Sequence, residues 1–148
     1  MRMLNLGCGP NWQEQYPNHE GLDITNYGQI YYCDVLDFFK DGTNAPEPDI
    51  YDEVIAYHFM EHFNQDDLKL IFSGVYKILK LGGIFKIIVP HMKKERSWVL
   101  THKTFWNEAM IKWLQEPDAS IVYGFGRWSI LELVTNDRED IYAELKKI

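Results

Sequence analysis

Met3-Leu4-Asn5-Leu6-Gly7-Cys8-Gly9-Pro10 is a short apolar run that stops abruptly at two glycines. A run of this length bounded by glycine predicts a buried parallel strand entering a tight turn. Without a Cβ, Gly7 and Gly9 let the backbone take left-handed angles and lie directly against a ligand. On these residues alone a plain strand-to-loop turn reads equally well, so the rest of the chain has to decide.

Downstream, residues 10–17 are polar and carry a proline at each end, which leaves room for at most one short turn of helix. His19-Glu20-Gly21-Leu22-Asp23-Ile24 predicts a second strand ending at Asp23, and Gln29-Ile30-Tyr31-Tyr32-Cys33 a third ending at Asp34. Ten residues separate these aspartates, so this crossover is trimmed as well. Residues 41–49, with Gly42, Pro46 and Pro48, form a loop by composition.

Tyr51-Asp52-Glu53-Val54-Ile55-Ala56-Tyr57 predicts a central strand running into His58-Phe59-Met60-Glu61-His62-Phe63. The clearest helix follows, with Leu68, Ile71, Phe72, Val75 and Leu79 at three- and four-residue steps. Asn64 caps its start, Asp66 and Asp67 sit in the first turn, and Gly82 offers a left-handed stop. Residues 83–89 are β-rich and end at Pro90, completing a crossover onto a parallel neighbour. The pattern is lost in a charged, aromatic loop over 91–102. It returns over 104–115, with Trp106, Ala109, Met110, Trp113 and Leu114 on one helical face and Glu116-Pro117-Asp118 as the stop. Residues 128–135 and 140–148 flank a polar turn, Asn136-Asp137-Arg138-Glu139, and predict a closing antiparallel hairpin. In the last segment Ile141, Ala143 and Leu145 alternate as in a strand, although its composition also suits a helix.

The 148 residues amount to a single domain, without repeat, linker or low-complexity segment. No run approaches the roughly 20 apolar residues of a membrane span, and nothing resembles a signal segment, so a cytoplasmic setting is expected. Two cysteines, Cys8 and Cys33, are too few for a disulfide framework and lack metal-ligand spacing. A net charge of −7 argues against nucleic acid as the main partner, because phosphate contacts need clustered cations and the densest basic stretch is Lys93, Lys94 and Arg96.

Strands that alternate with crossovers give a parallel sheet, and ligands on such sheets sit beyond the carboxyl ends of the strands. Those ends are Gly7-Cys8-Gly9, Asp23, Asp34, Tyr57-His58 and Pro90-His91. A carboxylate at the end of the second strand can accept hydrogen bonds from both hydroxyls of a ribose. Asp34 is then placed beside the base. Either aspartate alone is more often a turn residue or a cap; with the glycines, the ligand reading gains.

In this order the motifs resemble the class I S-adenosylmethionine-dependent methyltransferases, within them the broad type 11-like group whose first motif reads Leu-Asn-Leu-Gly-Cys-Gly. The resemblance covers nearly the whole chain and implies an α/β Rossmann-like sheet, mostly parallel, with a closing antiparallel hairpin and some shortened crossover helices. It implies S-adenosylmethionine as cofactor, with Asn5, Leu6, Gly7, Cys8 and Gly9 around its methionine part. Asp23 and Ile24 fall at the ribose, Asp34 and Val35 beside adenine, and Tyr57, His58 and His62 at the fourth-strand motif. Leu79-Lys80-Leu81-Gly82-Gly83-Ile84-Phe85 resembles the family's turn before the fifth strand.

Two departures stand out: Pro10-Asn11-Trp12 replaces the family's third glycine, and the first two crossovers are short. The missing glycine also weakens a nicotinamide-dinucleotide reading, which needs one there for close helix packing. Methyl transfer to an O, N or C nucleophile requires alignment above all, and a base only where the acceptor is protonated. His58, His91, Glu61 and His62 are the candidates for that base or for orienting the acceptor. No His-x-x-x-His pair with a third ligand is readable, so no metal is expected. The loop at 91–102 with Trp98, and the stretch at 119–127 with Tyr123 and Phe125, are where an acceptor would be read, and Arg96 or Arg127 could meet an anionic one. A small or sugar-like acceptor is expected rather than nucleic acid, with no membrane partner. Trimmed helices could leave a sheet face for a second copy, a homodimer. The alternative is a non-catalytic methyltransferase-fold partner or scaffold.

Overall fold

A computed structural model describes residues 1–40 and 46–148. Its centre is a seven-stranded sheet of order β3-β2-β1-β4-β5-β7-β6. β1 (Met3–Leu6), β2 (Glu20–Asp23), β3 (Tyr31–Tyr32), β4 (Tyr51–Tyr57) and β5 (Leu79–Pro90) run parallel, and β6 (Trp128–Thr135) with β7 (Asp140–Lys147) closes the edge antiparallel. The chain winds outward from β1 in both directions, so the turn after β1 lies at the topological switch point.

The predicted short helix is α1 (Trp12–Gln15), a single turn that buries Trp12. α2 (Val35–Phe39) went unpredicted: Asp34 starts it by accepting from the Leu36 amide at 2.7 Å. Phe38 and Phe39 are buried, and a Cβ on Gly74 would lie 2.3 Å from the Phe39 ring. Of the predicted loop at 41–49, residues 41–45 lie outside the described residues, and 46–49 are free of helix and strand.

The apolar stripe folds as α3 (Gln65–Ile78), capped by Asn64, whose Oδ1 accepts from the Asp67 amide at 2.9 Å. The stop expected at Gly82 is corrected. α3 ends at Ile78, and Leu79 turns extended to pair with Tyr51 before the ladder resumes at Glu53 and Ile84. Gly82 does take a positive φ of 82°, but in the irregularity this register shift creates.

The second helix is also shorter than its periodicity suggested. α4 spans Glu108–Trp113 behind an Asn107 cap, while Trp106 is bridged to His91 as extended chain. Ala109 is exposed and Ile111 fully buried, which corrects the predicted face. Pro117 starts α5 (Pro117–Ile121) rather than merely ending α4. The stretch expected to read an acceptor therefore begins as a helix, and Phe125 packs on Phe72 and Trp113. The hairpin is as predicted, and its last segment is a strand.

The two faces of the sheet differ. Leu4, Leu6, Val54, Ala56, Phe85, Ile87 and Val89 point to the face covered by α3 and join Phe72, Val75 and Trp128 in the main core. The opposite face carries charge: Lys86 lies 2.7 Å from Glu53 and 3.8 Å from Glu144, and His19 reaches Glu53 at 3.0 Å. Among the described residues, no helix is long and apolar enough to cross a membrane.

Candidate functional site

The turn after β1 is held from below by β2. The amides of Gly7 and Cys8 both donate to the Leu22 carbonyl, at 2.8 and 3.1 Å. Gly7 and Gly9 take φ of 67° and 69°, the left-handed angles glycine adopts without penalty. Their surroundings differ. A Cβ on Gly7 would lie 2.2 Å from the ring of Phe59, whereas one on Gly9 would meet nothing within 4 Å. Gly7 thus admits a side chain of this protein, and Gly9 presents bare backbone.

Asp23 ties the turn to the end of β2. Its Oδ2 accepts from the Gly9 amide at 3.0 Å and its Oδ1 from the Thr25 amide at 2.9 Å. Each carboxylate oxygen has a further lone pair, and the residue is half-buried. Ile24 beside it is 68% exposed. Asp34 spends Oδ1 on the α2 cap, and Val35 is buried behind it. Asn5 and Leu6 are buried in β1, and Cys8 is buried with its thiol pushed up to about 11, first by burial and then by Asp23. That thiol is not a reactive one.

Beyond β4, His58 has a φ of 51°, left-handed for a residue with a Cβ, while its amide extends the ladder to the Ile88 carbonyl at 2.8 Å. Strain of this kind collects at sites where the surroundings over-determine the backbone. The exposed ring of His58 places Nδ1 3.8 Å from Glu61 Oε1 and Nε2 4.0 Å from Asp140 Oδ2. Glu61 above all, with Asp140 adding, raises its pKa above the usual imidazole value. Glu61 is 1% exposed, and its Oε2 has no hydrogen-bond partner.

His62 follows, its Nδ1 3.2 Å from the Thr101 carbonyl and its ring edge-on to His102. His58, Glu61, His62 and His102, with Arg96 and Asp140, line one cleft of about 600 Å³. His91 stands apart. It is buried, its Nδ1 accepts from the Lys93 amide at 3.0 Å, and its Nε2 therefore carries the proton toward Glu108 at 3.1 Å. Tyr57 packs edge-on against Tyr16, burial raising its phenol to about 12. Trp98 stacks on Phe105, with ring centres 4.2 Å apart.

Phe59, Thr25, His102 and Asp140 were missed in the sequence. Phe59 lay inside a quoted motif but gave no sign of packing on Gly7. His102 and Asp140 are brought to the cleft by loop and hairpin geometry, which no local spacing encodes.

No protein-family model and no curated protein matches the sequence. Solved structures do match over the whole fold. An S-adenosylmethionine-dependent methyltransferase from Archaeoglobus fulgidus aligns with a TM-score of 0.67 and 17% identity, over 99% of this chain and 86% of that one. The N-methyltransferase NodS from Bradyrhizobium japonicum, in complex with S-adenosylhomocysteine, gives 0.67 and 16%, over 99% and 77%. The 1,6-didemethyltoxoflavin-N1-methyltransferase of Burkholderia thailandensis, bound to 1,6-didemethyltoxoflavin and S-adenosylhomocysteine, gives 0.68 and 14%, over 98% and 70%. The fold is that of the class I S-adenosylmethionine-dependent methyltransferases. At these identities the likeness carries architecture; here the β1–β2 crossover holds only the four-residue α1, and residues 24–30 between β2 and β3 hold no helix.

Proposed function

We propose that the protein transfers a methyl group from S-adenosylmethionine to an O, N or C nucleophile of a small acceptor. The observation that carries this reading is the Asp23 carboxylate, fixed by the Gly9 and Thr25 amides at the mouth of the switch point. Each of its oxygens keeps a lone pair that would accept from a diol, beside bare glycine backbone at Gly9 and the exposed Ile24. Those residues fit the cofactor. Asp23 would hold the ribose, Ile24 would cover a flat face of the base, and Asp34 has a second oxygen for an amine. Bound there, the cofactor supplies an electrophilic methyl on a good leaving group.

The chain's own contribution is alignment. The acceptor enters the cleft lined by His58, Glu61 and Arg96 and is held so that its nucleophile lies in line with the methyl. Asp23 and the glycine turn would hold the cofactor as it gives up its methyl and becomes S-adenosylhomocysteine, and His58 or water would take the proton that the acceptor gives up. A histidine with a raised pKa is more often charged already, so His58 suits orientation of an anionic acceptor better than strong base catalysis.

Release of S-adenosylhomocysteine, followed while small-molecule fractions are supplied as acceptors, tests the reading. Acceptor-dependent release that drops in Asp23→Ala is expected. A folded protein that binds S-adenosylhomocysteine but releases none with any acceptor fits the partner or scaffold reading instead.

A further inference from the structure

Glu61, His62 and His102 each offer a ligating atom, and these atoms lie within 4.8 Å of one another. Two details of their surroundings single the group out. The Nδ1 atoms of His62 and His102 face backbone carbonyls, Thr101 at 3.2 Å and Ser97 at 3.0 Å. A carbonyl only accepts, so each Nδ1 carries the proton and each Nε2 keeps its lone pair. Carbonyls that fix the tautomer in this way are the usual support of metal-ligating histidines. The second detail is Glu61: a carboxylate 1% exposed, with Oε2 unpartnered. An orphaned buried carboxylate oxygen is costly and needs a cation or a donor.

We propose that Glu61, His62 and His102 form a binding site for a divalent first-row transition ion. Two imidazoles and one carboxylate leave coordination positions open and favour Zn²⁺, Co²⁺ or Ni²⁺ over Mg²⁺ and Ca²⁺, which take oxygen ligands. An ion with ligands at about 2.1 Å in tetrahedral array holds them about 3.4 Å apart, so the three, now within 4.8 Å, close in by up to about 1.4 Å on loading. The backbone supports this without refolding, because the Glu61 carbonyl accepts from the Lys103 amide at 2.8 Å and the Thr104 amide at 3.2 Å, tying the two ligand segments together.

All three residues line the cleft that also holds His58 and Arg96. An acceptor oxygen bound there would be oriented and made easier to deprotonate. That use of the ion rests on the methyl-transfer reading; the site itself does not.

The test uses the full chain, stripped with chelator and free of cofactor. Titration with Zn²⁺ by calorimetry, and with Co²⁺ by visible absorption, is expected to show one saturable equivalent, with Mg²⁺ far weaker. His62→Ala and His102→Ala should each weaken binding by at least about 10-fold, whereas His19→Gln, on the opposite sheet face, should not. Thermal melts establish that the variants fold, and S-adenosylhomocysteine binding by His102→Ala, expected unchanged, separates loss of the ion from loss of the cofactor site. Absence of one-equivalent binding in the wild type, or wild-type affinity retained in both histidine variants, overturns the proposal.

Discussion

Single residues carry most of what is specific about this molecule, and the two glycines of the first turn separate its structural from its functional demands. Gly7→Ala places a Cβ in the Phe59 ring and strains a positive φ, whereas Gly9→Ala meets only the backbone penalty. The left-handed penalty is about 1–2 kcal/mol, and displacing a packed ring adds about 1–3 kcal/mol. Denaturant unfolding should therefore rank Gly7→Ala clearly below Gly9→Ala; equal losses would mean that Phe59 is not seated on Gly7. The glycines and Asp23 were legible in the sequence because their roles are local: a strand end, a positive φ, a carboxylate. The His62–His102 pairing was not, since the two are separated by α3, β5 and a loop whose path depends on where β5 docks.

At the scale of elements, helix and strand identity followed from periodicity where it was long, as in α3 and the closing hairpin. It failed where tertiary pairing overrode it. Trp106 pairs with His91 instead of starting α4, and α2 is a single turn made by one cap and two buried phenylalanines. Asn64→Ala should remove the α3 cap and lower stability by about 1 kcal/mol, read from the denaturation midpoint; no change would mean the cap is dispensable. Glu108 clamps α4 between β5 and β6 through His91 and Thr135. The Thr135 hydroxyl above all, with a backbone amide and His91, holds its carboxyl down at about 2. A folded value below the unfolded value of about 4.3 stabilises the protein above that pH. The contribution disappears as pH falls from about 4 through about 2. The melting temperature of Glu108→Gln should therefore lie below wild type at pH 7 and converge with it near pH 2; a gap independent of pH contradicts the clamp.

For the molecule as a whole, the charged sheet face opposite α3 is the feature that composition alone could not reveal. The strands there carry Lys86 between Glu53 and Glu144. Lys86→Met leaves the two carboxylates facing each other and should destabilise by about 1–3 kcal/mol, as for other broken half-buried hydrogen-bonded charges. Lys86→Arg should retain most of the stability, and if both variants behave alike the cation is not what holds this face. The fold was legible because order of motifs is a one-dimensional property; the cleft at His58, Glu61, His62 and His102 was not, because separate segments build it. The central claim is that the switch-point turn and Asp23 form a cofactor site, and calorimetric titration with S-adenosylhomocysteine tests it most directly, with Asp23→Ala and a nicotinamide dinucleotide as comparisons. The account predicts saturable binding to the wild type, weakened about 100-fold in Asp23→Ala by loss of charge-assisted hydrogen bonds, and none of the dinucleotide. A folded wild-type chain giving no heat with S-adenosylhomocysteine, or binding it equally without the Asp23 carboxylate, would contradict it.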